Sequence, residues 1–280
     1  MILVTGATGN VGAEVMRALV ASGQRVRALT RTDDPVELPA GAEQVTGDLN
    51  KPESMRAPLT GTSGIFLYPG YQDLTATLAE ARRDGVRQVV LLSGSSAASG
   101  DMSNAITRYM SESETAVRES GLAWTIVRSF GFMSNTLQWI PQLKAGDVVR
   151  AAFAGVPVAM IDPYDIAAVA ATALTSGQHD GKTYTVSGPE PLRPADRLAI
   201  LGEVLGRDLT FEAQPDDEAR AEMSNSMPAE YVDAFFDFYV AGHLDESQVQ
   251  PDVHDLTGRA PRTFRQWAQA HASAFPARAS

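Results

Sequence analysis

The first half of the chain alternates short apolar runs with stretches whose apolar residues recur every three to four positions. That is the signature of strand–helix–strand units around a parallel sheet. Ile2–Thr5 predicts a strand, and Val11, Val15, Leu19 and Val20 predict a helix over Val11–Ser22 that Gly23 ends. Further strands are expected at Arg25–Leu29, Glu43–Thr46 and Gly64–Leu67, and a helix at Asp73–Gly85. Gln88–Leu92 is a continuous apolar run suited to a strand covered on both faces. Ile106–Ser120 predicts a helix stopped by Gly121, and Ala123–Arg128, carrying Trp124-Thr125-Ile126-Val127, a sixth strand.

After about residue 130 the rhythm loosens. Ile161–Thr175 predicts a helix opened by Asp162 or Asp165, whose side chains can accept the orphan N–H groups of a first turn. Lys182–Ser187 is expected as a seventh strand returning to the main sheet. Leu192–Gly206 and Pro228–Leu244 predict helices, Leu209–Glu212 a short strand and Arg262–Phe275 a last helix. The pattern points to an α/β fold, a doubly wound parallel sheet with a smaller C-terminal part that closes a cleft.

Composition narrows the chemistry. With 23 basic against 34 acidic residues the net charge is −11, a field that repels phosphate backbones and argues against nucleic acid as partner. There is no cysteine, which excludes a disulfide framework, a Cys zinc site and a thiol nucleophile. No stretch approaches the roughly 20 apolar residues of a membrane span. Met1-Ile2-Leu3-Val4 opens without a secretory leader, so no membrane is expected as partner and the cytoplasm is the expected compartment. His179, His243, His254 and His271 form no i, i+4 pair, and no metal site is expected. Gly94-Ser95-Ser96-Ala97-Ala98 lacks the Gly-x-Ser-x-Gly elbow of a hydrolase.

Gly6-Ala7-Thr8-Gly9-Asn10-Val11-Gly12 stands between the first strand and the first helix. One glycine permits the tight turn, another admits a pyrophosphate to the backbone, and a third lets helix pack on strand. The helix N-terminus adds unpaired amides for the anion. Gly6, Thr8, Gly9, Asn10, Val11 and Gly12 are therefore expected to bind a dinucleotide. Arg31, about 20 residues on, suits a 2′-phosphate and hence NADP(H), although Asp33 and Asp34 follow it at once. Asp48, beside Leu49 after the third strand, either accepts from the adenine amino group or serves an ordinary turn. The expected organisation is a Rossmann-type NADP(H)-binding domain over 1–150, rejoined by strand 182–187, and a substrate-binding lid over 151–280.

Several further segments carry a family likeness. They are Thr30-Arg31, Gly47-Asp48, Ser120-Gly121-Leu122 leading to Thr125-Ile126-Val127-Arg128, Phe132-Met133-Ser134-Asn135, Asp162-Pro163-Tyr164-Asp165-Ile166-Ala167 and Gly258-Arg259-Ala260-Pro261-Arg262-Thr263-Phe264. With the glycine turn, this ordered set resembles the NmrA-like group of atypical extended short-chain dehydrogenase/reductases. The resemblance implies a serine, a tyrosine and a lysine that bind the carbonyl, donate a proton and tune the donor. Ser95 matches the serine, but Ile106 and Met110 stand where tyrosine and lysine belong, and no tyrosine in the chain has lysine four residues on. Tyr109, three positions past Ile106, is expected to turn away from the proton-donor direction. Ser95 either donates a hydrogen bond to substrate or satisfies local backbone. The resemblance also places Tyr68, Ser93, Phe130 and Gly131 beside the cofactor and Phe132 toward substrate, while Asn135 either hydrogen-bonds substrate or caps the turn.

Tyr231, Phe235, Phe236, Phe238 and Tyr239 crowd the Pro228–Leu244 segment, just after Met223 and Met227. Such a face stacks on a flat ligand or packs on the core. The expected substrate-binding set is Ser95, Phe132, Asn135, Met223, Met227, Tyr231 and Phe235, with Ser95 the catalytic candidate. The expected function is NADPH-dependent reduction of a carbonyl or quinone on a bulky aromatic small molecule. The likeness in kind is to ketoreductases of polyketide antibiotics that lack the dyad. Protonation is then water- or substrate-assisted, and the chain acts as a monomer or weak homodimer. The alternative is a non-catalytic NADP(H) sensor that binds a protein partner.

Overall fold

The computed structural model describes residues 1–277, so the last three residues of the expected 151–280 region lie outside the described residues. Strands β1 (Ile2–Val4), β2 (Val26–Thr30) and β3 (Ala42–Thr46) enclose helix α1 (Asn10–Ala21), and α2 (Arg56–Leu59) precedes β4 (Gly64–Leu67). Then come α3 (Leu74–Arg83), β5 (Gln88–Gly94), α4 (Ala105–Glu119) and β6 (Ala123–Ser129). The second half comprises α5 (Ile140–Ala145), β7 (Val148–Ala151), α6 (Pro163–Thr175), β8 (Lys182–Val186), α7 (Pro194–Leu205), β9 (Thr210–Ala213) and α8 (Asp216–Met223). It closes with α9 (Ala229–Tyr239), α10 (Asp252–Thr257) and α11 (Phe264–Ala270).

Seven parallel strands run in the order β3-β2-β1-β4-β5-β6-β8, the doubly wound arrangement expected. Because successive side chains point to opposite faces, each apolar run feeds two cores. Ile2, Val4, Val90 and Leu92 pack with α1 and α6, whereas Leu3, Val89 and Leu91 pack with α3 and α4. Strand β8 pairs with β6, and α6 lies on the sheet beside α1, so the stretch after residue 150 builds part of the core as well as the cover. A third cluster around Trp139, Trp267 and Phe264 holds the C-terminal elements together.

Several expected boundaries are corrected. The last helix starts at Phe264, behind a Thr263–Gln266 capping box, and gives way at His271 to a 3-10 turn. The aromatic helix ends at Tyr239, five residues early. Asp162, not Asp165, caps α6 by accepting from the Tyr164 amide at 2.9 Å. Asp165 is buried and instead takes the Arg259 guanidinium at 2.6 Å and the Arg262 amide at 2.7 Å. The late Arg-rich motif is thus a tether that ties the C-terminal segment to the start of α6. Among the described residues, no helix is long and apolar enough to cross a membrane.

Candidate active site

The strand order reverses between β2 and β4 on either side of β1, and ligands of open α/β sheets bind in the crevice beyond such a point. The glycine turn lies there. Gly6 has φ +60°, its carbonyl accepts from the Gly9 amide at 2.9 Å, and a Cβ on Gly12 would stand only 2.1 Å from that carbonyl. Gly9 is the N-cap residue of α1 and has no side chain to cap it, while Thr8, Gly9 and Asn10 face outward. Val11 and Gly12 are buried beneath them. The first turn therefore leaves a cradle of backbone amides and a dipole suited to a diphosphate.

Arg31 lies exposed past the end of β2 and, among the described residues, makes no ion pair. The neighbouring Asp33 makes no ion pair with it and accepts from the Thr46 hydroxyl instead. Asp48 accepts from the Asn50 amide at 3.0 Å, so its turn role is present, with Leu49 buried behind it. The Tyr68 ring packs against Gly6, where an added Cβ would meet it at 2.9 Å, and burial raises its hydroxyl to about 12. A backbone cradle beside an uncommitted cation fits a phosphorylated dinucleotide.

A cleft of about 580 Å³ opens beside this turn. Tyr68, Ser93, Ser95, Phe130 and Gly131 border it from the strand ends, Phe132 and Asn135 from the loop after β6, and Tyr231 and Phe235 from α9. Met223 and Met227 stand apart from it and line an adjoining cavity of about 600 Å³. Ser93 is committed elsewhere, since its hydroxyl donates to Glu114 at 2.7 Å. Glu114 is buried, which alone would raise its carboxyl; hydrogen bonds from Arg128, Ser93 and Arg118 outweigh that and hold it below the ordinary range.

Ile106 and Met110 line the cleft, and so does Tyr109, which corrects the expectation that it turns away. Three residues along a helix is only about 60° short of a full turn, so positions 106, 109 and 110 share one face. Burial raises the Tyr109 hydroxyl to about 12, and its ring meets Tyr231 edge-on at 6.2 Å. The aromatic helix divides its residues between two roles. Tyr231, Phe235, Phe238 and Tyr239 face the cleft, while Val232 and Phe236 pack inward beside Phe153. Asn104, which caps α4, also donates to the Ala234 carbonyl at 3.2 Å and to Asp237 at 2.9 Å, clamping α9 over the cleft.

Glu246 was missed from the sequence. It stands in the loop after α9, is 5% exposed, and brings Oε1 within 2.5 Å of Ser95 Oγ and Oε2 within 3.2 Å of the Tyr239 hydroxyl. Burial pushes its carboxyl well above the ordinary range, partly offset by hydrogen bonds from Ser95, Tyr239 and the Gly131 amide. Tyr239 is itself raised by burial and by Glu246. No spacing signal marks Glu246, because it reaches Ser95 across 151 residues of chain. The result is a buried carboxyl group joined to the serine that faces the cleft.

Residues 6–177 match a family model described as NAD(P)H-binding. Over 98% of its length the chain is 41% identical to a (4-alkanoyl-5-oxo-2,5-dihydrofuran-3-yl)methyl phosphate reductase of Streptomyces griseus, covering 99% of that protein. It is 35% identical to an NAD(P)H azoreductase of Xenophilus azovorans, over 99% of this chain and all of the relative (100%). Among solved structures, an NADPH-dependent quinone oxidoreductase from Escherichia coli superposes with a TM-score of 0.78 at 21% identity, covering 98% of this chain and 100% of that one.

Proposed function

The chain belongs to the NAD(P)H-binding family, within the NmrA-like, extended short-chain dehydrogenase/reductase-like oxidoreductases, and on that premise we propose that it reduces a conjugated carbonyl or quinone with NADPH. The observation that carries the reading is the contact of Ser95 with the buried acid Glu246, at the floor of an aromatic-walled cleft beside the glycine cradle. The names of the two relatives above, one reducing a phosphorylated acyl-dihydrofuranone and one an azo compound, support reduction of flat, electron-poor molecules. The aromatic polyketide ketones expected from the sequence fall within that class.

Gly6, Gly9 and Gly12 would hold the diphosphate of the cofactor and Arg31 its 2′-phosphate, and the cofactor when bound supplies a hydride. The protein supplies the matching proton. Ser95 donates to the oxyanion that develops on the substrate, and Glu246 returns a proton to Ser95 through the 2.5 Å contact. This pair stands in for the missing tyrosine and lysine. Phe132, Tyr231 and Phe235 form apolar walls that exclude water and favour a flat substrate.

The test is steady-state NADPH oxidation against a panel of quinones, conjugated ketones and unsaturated lactones. Turnover of flat conjugated members is expected. Tight NADPH binding without turnover of any of them contradicts the reading and favours the sensor.

A further inference from the structure

The cavity beside the cleft contains a cation that, among the described residues, has no ion-pair partner. Arg197, on α7, stacks its guanidinium on Trp139 at 5.1 Å from the ring centroid, and its Nη1 donates to Thr136 Oγ1 at 3.3 Å. Its Nε is shut away from solvent with no acceptor, and so are Trp139 Nε1 and Ser134 Oγ. All three residues line the same cavity, which adjoins the cleft through Gly131, Asn135, Phe235 and Tyr239.

Other enclosed arginines differ. Arg128 carries Glu114 at 2.7 Å and Arg207 carries Asp147 at 2.7 Å, whereas among the described residues Arg197 has no carboxylate within ion-pair distance. Of the other charges lining this cavity, Arg150 pairs with Glu218 at 2.6 Å, and Glu222, which accepts from Gln214 at 2.6 Å, keeps its negative charge at the exposed rim. Burial lowers the Arg197 guanidinium to about 10, so it is still charged at neutral pH. A half-buried charge without a partner is costly, and unmet buried donors such as its Nε add to that cost. The fork of N–H groups on a guanidinium matches the oxygens of phosphate or carboxylate.

From this juxtaposition we infer that the second cavity is an anion subsite, in which the Arg197 guanidinium, held between Trp139 and Thr136 and beside Ser134, receives the phosphate or carboxylate of a substrate whose reacting carbon lies at Ser95. The inference rests on the reductive reading and narrows its substrate to conjugated carbonyl compounds that carry an anionic arm. Tyr239, which borders both spaces, separates the anion from the reducible end.

Two measurements test it. In the first, matched conjugated ketones with a neutral, a carboxylate and a phosphate arm are compared by kcat/KM. Wild type is expected to favour an anionic arm by about 10- to 100-fold, the range of a hydrogen-bonded charge. The carboxylate and phosphate arms decide which oxyanion fits better. Arg197→Met is expected to collapse the preference and Arg197→Lys to keep part of it. Equal use of neutral and anionic arms by wild type, or an unchanged preference in Arg197→Met, overturns the inference.

The second is independent of turnover: inorganic phosphate is added to protein saturated with NADP⁺ and the melting temperature is followed. Wild type is expected to melt higher, beyond the effect of sodium chloride at equal ionic strength, and Arg197→Met is expected not to respond. No shift in wild type overturns the subsite. A shift that Arg197→Met abolishes, with no compound reduced, upholds it and sinks the reductive reading. Should Arg197→Met not fold, Arg197→Lys and Ser134→Ala carry both tests, and wild-type behaviour in both variants overturns the assignment.

Discussion

Replacing Glu246 by Gln keeps the shape of the side chain but exchanges the titratable carboxyl, whose oxygens meet Ser95 and Tyr239, for an amide that cannot deliver a proton. Glu246 is only 5% exposed, so solvent does not readily take its place beside Ser95. A positioned general acid contributes about 10²- to 10⁴-fold. Because Ser95 survives as the immediate donor, a loss near the lower end is expected, about 10²-fold in kcat or ~2.7 kcal/mol, with KM little changed. The assay is NADPH oxidation across pH. Wild-type kcat is expected to fall as pH rises through the elevated value of the Glu246 carboxyl, a limb the Gln variant lacks.

Stability supplies a second readout with a definite sign. The folded protein keeps a proton on Glu246 that the unfolded chain releases, so wild type loses stability as pH rises from the ordinary carboxylate value toward the folded one. The Gln variant has no such loss. It is expected to gain on wild type near neutral pH, the difference closing below about pH 4, where both states are protonated. A Glu246→Gln enzyme that retains kcat within about threefold (under ~0.7 kcal/mol), with an unaltered pH profile, refutes the serine–glutamate relay.

Arg31→Ala is expected to weaken NADPH binding by about 10- to 100-fold while sparing NADH, because only the phosphorylated cofactor uses that charge; calorimetry with equal losses for both contradicts the assignment. Gly12→Ala places a Cβ 2.1 Å from the Gly6 carbonyl, so the turn must shift, and fluorescence titration should show NADPH affinity down by more than about tenfold. Glu114→Gln removes the partner of the half-buried Arg128 and is expected to cost about 3 kcal/mol in urea unfolding. The Glu114 carboxyl is depressed on folding, so its contribution is present above the ordinary carboxylate value and lost as pH falls through the folded one. Glu114→Gln should therefore show a smaller acid-side loss than wild type.

The parallel sheet was legible because strands covered on both faces leave continuous apolar runs, as at Gln88–Leu92, and helices leave a 3.6-residue period. The cofactor cradle was legible for a similar reason: close backbone approach demands glycine at fixed offsets, as Gly12 shows. Strand β7 was missed because Val148–Ala151 is four residues long, carries Arg150, and finds its partner only in β9. Glu246 and Arg197 were invisible for a deeper reason. Their meaning lies in burial and in which distant side chain faces them, and neither leaves a local pattern.

The central claim is that a hydride from NADPH reaches a substrate carbon held in the cleft at Ser95. Reduced nucleotide deuterated at its reactive carbon, mixed with enzyme and a conjugated ketone, tests this most directly by mass spectrometry of the product. Deuterium on the former carbonyl carbon or its conjugated position, abolished when the cleft is narrowed by Ile106→Trp, is the predicted result. Oxidised nucleotide with unlabelled product, or label transfer untouched by that substitution, would contradict the account.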